Sequence, residues 1–265
     1  MRPVLDDDHT GILAARQFAE SGYLIVPGLI PGELRARLLP EVDRWVDQGL
    51  RARSIDSCRD PAAYGIPPVM ELELPAHGEI LTYRPLMAIL SQLLGPDFVY
   101  HHLHSDRHDA TIAAKSWHHD YEPNDLADST LAMVHTLHYL TGLDDTMAAL
   151  VILPGSHHQS REKSAMAHVG TDHLDGEVVI DSLPPGSTVL LHSALLHARR
   201  LSTTTSDRHR YFVDASYCQT GAARWRPVKP YWRHMLARAR ELGLGTGLSP
   251  ELFADKHFRD DIAQG

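Results

Sequence analysis

Cysteine is scarce in this sequence, which has only Cys58 and Cys218 among 265 residues. Two such distant thiols supply neither a disulfide framework nor a cysteine metal site, so we expect a reducing, cytoplasmic setting. Long apolar runs are also missing: no stretch approaches the ~20 residues that a transmembrane helix requires, and residues 1–8 hold no apolar signal segment. We therefore expect a protein that is neither exported nor embedded in a membrane.

Basic charge is in deficit as well, because 25 Lys and Arg residues stand against 34 Asp and Glu residues. A nucleic-acid surface needs clustered cations that neutralise phosphates, so we expect no nucleic-acid partner. The hydrophobic fraction of 43% and the charged fraction of 22% are those of an ordinary globular protein. A chain of this length fits one large domain, and we expect a single domain over residues 1–265.

The sequence before residue 98 has a helical pattern. Apolar residues recur at helical spacing in Asp8–Ser21, after Pro31 and in Pro85–Leu94, and Tyr23–Val26 reads as a short strand. The stretch 51–75 is polar and contains proline, so we interpret it as a loop.

Beyond residue 98 the pattern changes to short β-rich runs separated by turns. These runs are 98–104, 130–140, 149–153, 176–183, 187–192 and 210–217. A further helix is expected at Pro230–Leu242. The pattern predicts a mainly β fold with flanking helices, namely a jelly-roll (double-stranded β-helix, cupin-like) barrel. The barrel is expected over about 98–218. A helical preface over about 1–97 precedes it, and a C-terminal helical segment over about 219–265 follows it.

Histidine is abundant, with 19 residues, and it is the commonest metal ligand. In Trp117-His118-His119-Asp120, His118 and Asp120 are two residues apart, so in an extended chain they point to the same side. A second histidine from a distant strand would complete a 2-His-1-carboxylate facial triad, which leaves positions open on a metal. His197 fits this role best. His192 is the competing candidate, although it falls within an apolar run, where a buried, hydrogen-bonded histidine is common.

Arg208 and Arg210 open the strand that should lie beside the one carrying His197. A guanidinium at this place can grip a carboxylate with two hydrogen bonds. The far carboxylate of 2-oxoglutarate needs such a partner when its keto-acid end chelates iron. The two arginines share a face of the strand, so parity does not separate them.

Several stretches share features with one known family. These stretches are Phe18–Gly28 followed by the helix from Pro31, the W-H-x-D segment at Trp117–Asp120, the P-G-S-H turn at Pro154–His157, and the strand Pro185–His192 followed by Leu195-Leu-His197. Together they resemble the phytanoyl-CoA dioxygenase family of iron(II)/2-oxoglutarate oxygenases. The similarity runs through most of the chain. The resemblance implies iron(II) held by His118, Asp120 and His197, with 2-oxoglutarate and O2 as co-substrates.

The resemblance also bears on the arginines. Matching Ser206–Arg210 to the family's arginine strand favours Arg210 as the anchor of 2-oxoglutarate; this requires a two-residue insertion after His197, and without it the register selects Arg208. The family typically has Gly-Ser after the distal histidine, where this chain has Ala198-Arg199. Arg199 therefore either substitutes for the serine in contacting 2-oxoglutarate or faces solvent.

The activity implied is oxidation, most simply hydroxylation, of a small-molecule substrate in bacterial secondary-metabolite tailoring or small-molecule catabolism. Halogenating relatives replace the carboxylate ligand by a small residue, so the presence of Asp120 favours oxygenation. The C-terminal Ile-Ala-Gln-Gly does not resemble the peroxisomal S-K-L signal. Two alternatives stay open: a zinc-dependent cupin-like hydrolase or isomerase, and a non-catalytic small-molecule binding protein on the same fold.

Overall fold

The computed structural model describes residues 8–109, 112–122, 131–159, 161–202, 204 and 207–260, with side chains from Leu13 onward. Within these ranges the helices are α1 (Asp8–Ser21), α2 (Gly32–Asp47), α3 (Leu50–Arg59), α4 (Pro61–Tyr64), α5 (Pro75–Ile80), α6 (Arg84–Leu94) and α7 (Trp232–Glu241). The strands are β1 (Tyr23–Val26), β2 (Phe98–His108), β3 (Lys115–His118), β4 (Met133–Tyr139), β5 (Ala149–Ile152), β6 (Val178–Ile180), β7 (Ser187–His192), β8 (His197–Arg200) and β9 (Arg210–Gln219). None of the helices in the described ranges has the length and apolar content that crossing a bilayer requires.

The strands form two sheets, with the orders β1-β7-β4-β9-β2 and β3-β8-β5-β6. The pairs β1/β7, β4/β7, β3/β8, β5/β8 and β5/β6 are all antiparallel. Two antiparallel sheets with non-sequential neighbours are the architecture of a jelly roll, so the predicted fold class is confirmed. Each β-rich run of the sequence corresponds to a strand, and the helices expected from apolar spacing correspond to α1, α2, α6 and α7.

The interpretation of 51–75 as a loop is wrong for its first half, which forms α3 and α4. The start of α4 has a local cause: the Asp60 side chain accepts a hydrogen bond from the Ala63 N–H at 2.9 Å, and Pro61 occupies the first turn. These are the capping and proline preferences of a helix N-terminus. The polar composition of the stretch obscured them.

The chain divides into two compact units. The first takes in the described parts of Met1–Gly32, Arg107–Tyr121 and Val134–Val213. Its core lies between the inner faces of the two sheets and consists of Tyr139, Leu143, Met147, Leu150, Ile152, Ile180, Leu183, Val189, Leu191 and Leu195. Each such side chain contributes roughly 1.5–3 kcal/mol on burial, so this layer holds the strands of the site in register.

The second unit takes in the described parts of Glu33–Asp106, Glu122–Met133 and Asp214–Gly265. Its helix α2 buries Leu34, Leu38, Val42 and Trp45, which are spaced three or four residues apart and so share one face.

The second unit also contains a chain of polar side chains, in which Glu41 is half-buried and His77, Ser105 and Glu71 are buried. The Glu41 carboxylate lies 2.9 Å from His77 Nδ1, His77 Nε2 lies 3.1 Å from Ser105 Oγ, and Ser105 Oγ donates to Glu71 at 2.8 Å. Burial raises the pKa of Glu71. The hydrogen bonds satisfy groups whose desolvation would otherwise be costly.

Candidate metal centre

The cross-strand register of the four-stranded sheet decides which histidines face the interior of the first unit. On β5, Leu150 and Ile152 belong to the core between the sheets, whereas the residue between them packs on the opposite face. His197, the first residue of β8, lies opposite Ile152, and His118, the last residue of β3, lies opposite His197. Cross-strand partners share a face. Both imidazoles therefore point inward.

Asp120 completes this arrangement two residues after the end of β3. Its backbone N–H donates to the Ser193 carbonyl at 2.8 Å. One carboxylate oxygen lies 3.2 Å from His197 Nε2 and the other 3.8 Å from His118 Nε2. One ligand atom from each of the three residues lies within 4.8 Å of the other two. Two imidazole nitrogens and one carboxylate oxygen around a common point are the donor set of a facial metal site.

The second ring nitrogen of each imidazole is held by the backbone. His118 Nδ1 donates to the Ser116 carbonyl at 2.7 Å, and His197 Nδ1 donates to the Leu195 carbonyl at 3.0 Å. Such bonds fix the tautomer and the ring orientation of metal-binding histidines. His118 Nε2 is buried and has no hydrogen-bond partner among the residues that the structure describes. A buried acceptor left in this state costs about 1–3 kcal/mol, and a metal ion would satisfy it, so the donor set fits a metal.

The electrostatics keep the same groups in their metal-binding protonation states. Burial, and then the neighbouring His197, lowers the pKa of His118 to about 3. Burial alone would raise the pKa of Asp120, but the hydrogen bond and charge of His197, followed by His135 and Lys115, hold that pKa well below its usual range. At neutral pH His118 is thus neutral and Asp120 ionised, as metal binding requires.

His192, the competing candidate for the distal histidine, lies in a different environment. Its ring stacks on Tyr121 with an interplanar angle of 4° and lies 4.9 Å from the His157 ring, and its Nδ1 accepts the Ala194 N–H at 3.2 Å. Burial, followed by His157, lowers its pKa to about 3. Among the described residues it belongs to no group of three metal-binding side chains.

The three candidate arginines are placed differently from one another. Strand β9 begins at Arg210, so Arg208 precedes the strand and does not share a strand face with it, contrary to the parity argument. Arg208 is 60% exposed and pairs with Asp144. Arg210 is only 8% exposed and donates to the Ala148 carbonyl at 2.9 Å. Arg199 lies opposite Leu150, hence on the inner face, and donates to the Ala113 carbonyl at 3.0 Å.

The P-G-S-H turn supports the site without entering it. Ser156 Oγ accepts the N–H of Leu196, the neighbour of His197, at 2.8 Å. The His157 and His158 rings lie within hydrogen-bond distance of the Ala19 and Glu20 carbonyls in the last turn of α1, at 3.1 and 3.3 Å. Since carbonyls only accept, these imidazoles donate and cap the helix end. The sequence indicated a turn here but gave no sign of the capping.

A second supporting contact behind the candidate metal ligands was also missed. Trp117, next to His118, is fully buried, and its backbone N–H and its Nε1 donate to the carbonyls of Gly170 and Asp172, both at 2.9 Å. The same segment is held by Arg200, whose two terminal nitrogens lie 2.6 and 3.0 Å from the Glu177 carboxylate. No local pattern pairs Arg200 with Glu177, because the contact depends on how the segment folds back onto the sheet.

Lys115 is a further residue that the sequence analysis did not single out. It lies opposite Arg199 while His118 lies opposite His197, so three steps on β3 match two on β8. This bulge turns Lys115 toward the face of the candidate metal ligands, and its Nζ lies 4.0 Å from Asp120 Oδ1. Simple alternation from His118 would have placed Lys115 on the other face.

A jelly roll with two inward imidazoles and one carboxylate defines the class of cupin-like non-haem metal enzymes. The chain belongs to the phytanoyl-CoA dioxygenase (PhyH) family, whose model matches residues 18–210. It is accordingly a 2-oxoglutarate-dependent non-haem iron enzyme, with iron(II) as its metal and 2-oxoglutarate and O2 as co-substrates.

Solved structures share the fold at low sequence identity. The α-ketoglutarate-dependent epimerase SnoN from nogalamycin biosynthesis superposes with a TM-score of 0.62 at 17% identity over 83% of this chain and 85% of its own. The non-heme monooxygenase ThoJ gives 0.59 at 20% identity over 78% and 77%. HygX from Streptomyces hygroscopicus, solved with nickel and 2-oxoglutarate, gives 0.57 at 15% identity over 78% and 86%. No curated protein sequence matches significantly.

Proposed function

We propose that His118, Asp120 and His197 bind the iron(II) of this enzyme as a facial triad. The single observation that carries the proposal is the convergence of their three ligand atoms within 4.8 Å, from positions 79 residues apart in the chain. The backbone acceptors of both Nδ1 atoms and the depressed pKa values of His118 and Asp120 support it. Three protein ligands leave room on the metal for the keto-acid end of 2-oxoglutarate and for O2.

Arg210 anchors the far carboxylate of 2-oxoglutarate in this proposal. Its strand belongs to the five-stranded sheet, yet its guanidinium reaches the carbonyl of Ala148, the residue just before β5 of the other sheet. It therefore lies inside the first unit, on the side from which β5 runs toward Ile152 and His197. Four residues of strand cover about 13 Å, a span that the co-substrate and the two side chains can bridge together. The exposed Arg208, paired with Asp144, is not so placed.

The reaction proposed is hydroxylation of a C–H bond in a small-molecule substrate. Iron(II) with 2-oxoglutarate and O2 supplies an oxidant strong enough for unactivated C–H bonds, while the protein binds, orients and excludes water. Asp120 keeps the carboxylate that favours oxygenation over halogen transfer. SnoN is an epimerase of nogalamycin biosynthesis, and this likeness supports a role in secondary-metabolite tailoring, with small-molecule catabolism as the other setting.

The test of the metal site is anaerobic addition of iron(II) and then 2-oxoglutarate to the metal-free protein. The chelate is expected to give a weak visible charge-transfer band, which a zinc hydrolase or a non-catalytic binding protein does not produce. His197→Ala is expected to abolish the band, whereas His192→Gln, which changes the competing histidine, is expected to retain it. Retention in His197→Ala together with loss in His192→Gln would refute the ligand assignment.

The test of the reaction is a screen of candidate metabolites scored by succinate release under O2. Substrates are expected to raise succinate formation above the uncoupled rate and to gain one oxygen atom by mass spectrometry. A product that lacks the added oxygen, or has lost two hydrogens, would show that the reaction is another oxidation and not hydroxylation.

The test of the anchor is a pair of arginine variants. Arg210→Leu is expected to weaken 2-oxoglutarate binding by roughly 10–100-fold, because a charged bidentate partner is lost, whereas Arg208→Leu is expected to leave the binding unchanged.

A further inference from the structure

Among the described residues of the first unit, four groups contact the Arg210 guanidinium. Its two terminal nitrogens lie 2.9 Å from the Ala148 carbonyl and 3.0 Å from His108 Nδ1. Its central carbon lies 5.8 Å from the centre of the Tyr139 ring and 5.4 Å from that of the Phe212 ring. Cation–π distances of this size are attractive, so polar and aromatic contacts restrain the same guanidinium.

His108, at the end of β2, is the polar side chain among these four groups. It is 6% exposed, and its ring centre lies 4.7 Å from that of Phe212. An arginine N–H can only donate, so Nδ1 of His108 is the acceptor and carries no proton in this contact. The imidazole is thereby placed from both sides, by the Phe212 ring and by the guanidinium.

These contacts restrain the orientation of the Arg210 guanidinium. Arginine carries substantial side-chain conformational entropy, and a pre-organised fork loses less of it per hydrogen bond when a carboxylate binds. Ala148 is a backbone acceptor that no substitution removes, whereas His108 is a side chain 102 positions away in sequence from Arg210. Of these two described polar contacts, the one with His108 can be removed by substitution.

We propose that His108 is a positioning residue for the co-substrate, fixing Arg210 in the orientation that receives the far carboxylate of 2-oxoglutarate. The inference rests on the proposed role of Arg210 and extends it to a residue outside the metal ligands and the arginine strand. The expected effect is selective, because the contact between His108 and Arg210 influences only the binding of the second carboxylate of the co-substrate. Metal binding and the keto-acid chelate are unaffected by it.

The experiment compares two keto acids on the wild type, His108→Leu, His108→Asn and Arg210→Leu, using the anaerobic iron(II) charge-transfer band to measure dissociation constants. 2-Oxoglutarate has the far carboxylate, and 2-oxopentanoate has the same chain without it. In His108→Leu, 2-oxoglutarate binding is expected to weaken roughly tenfold, the loss of one hydrogen bond to a charged group, while 2-oxopentanoate binding stays within about twofold. His108→Asn keeps an acceptor oxygen near the position of Nδ1 and is expected to recover most of the affinity.

The outcomes separate this inference from the proposed function. If the wild-type protein gives no chelate band, or Arg210→Leu binds 2-oxoglutarate as the wild type does, the proposed site itself fails. If Arg210→Leu weakens 2-oxoglutarate selectively but His108→Leu does not, or weakens both keto acids equally, only the role of His108 is refuted. Thermal melting of each variant, with Arg208→Leu as the matched surface control, shows that the fold is retained.

Discussion

Replacing Glu177 by Gln tests the ion pair that holds the segment behind the proposed metal ligands. The Glu177 side chain is 3% exposed and Arg200 is 28% exposed. The carboxylate also accepts the Leu174 N–H at 3.0 Å. The hydrogen bond with Arg200 is the main cause that lowers the pKa of Glu177 from its usual 4.5 to about 2. We expect this variant to be less stable than the wild type at neutral pH and equally stable in acid.

The direction of the pH dependence of stability follows from the direction of the Glu177 pKa shift. Because the pKa is depressed in the folded state, the ionised carboxylate contributes stability at pH values above about 4.5, and this contribution is lost as the pH falls toward 2. A depression of this size corresponds to at most about 3–4 kcal/mol. Solvent reaches the Arg200 guanidinium and screens the pair, so we expect about 1–2 kcal/mol.

The assay is urea unfolding followed by tryptophan fluorescence at pH 7, 4 and 3. The difference in the free energy of unfolding between wild type and Glu177→Gln is expected to shrink steadily across this series. Glu241→Gln, which removes a 63% exposed carboxylate from the Arg238 pair, serves as the control and should show no such trend. A difference between wild type and Glu177→Gln that is the same at all three pH values would refute the reasoning, because it would come from packing rather than from charge.

Three further predictions concern the surroundings of the site. Gly22→Ala is expected to lower the melting temperature by several degrees in calorimetry. The backbone φ of Gly22 is +81°, and the new Cβ would lie 2.5 Å from His157 Nδ1 and 2.7 Å from Leu195 Cδ1. An unchanged melting temperature would contradict this close approach. Trp117→Phe removes the Nε1 hydrogen bond to the Asp172 carbonyl and should cost about 1–3 kcal/mol of unfolding free energy in urea, with weaker metal binding as its second readout. Nickel(II) at about 100 times its dissociation constant should raise the free energy of unfolding by about 2.7 kcal/mol, and this gain should vanish in His118→Ala.

The sequence by itself predicted most of the secondary-structure elements and the residues proposed as metal ligands. Apolar spacing predicted helices α1, α2, α6 and α7, and β-rich runs predicted the strands of a jelly roll. Within the H-x-D segment, strand alternation predicted that the side chains of His118 and Asp120 face the same side. In the structure, His118 Nε2 and Asp120 Oδ1 lie 3.8 Å apart, in agreement with this prediction. These features are local: they depend on repeat lengths of two or 3.6 residues, which can be read from consecutive positions.

The tertiary structure decided what depends on contacts between distant strands. It placed His197 opposite His118, left His192 stacked on Tyr121, and started β9 at Arg210 so that Arg208 falls outside the strand. The bulge at β3, the support of Arg210 by His108 and the pair of Arg200 with Glu177 have no local sequence signal. The physical reason is register: a shift of one residue in a strand moves every side chain to the other face, and the core between the two sheets, not any single segment, selects the register that is adopted.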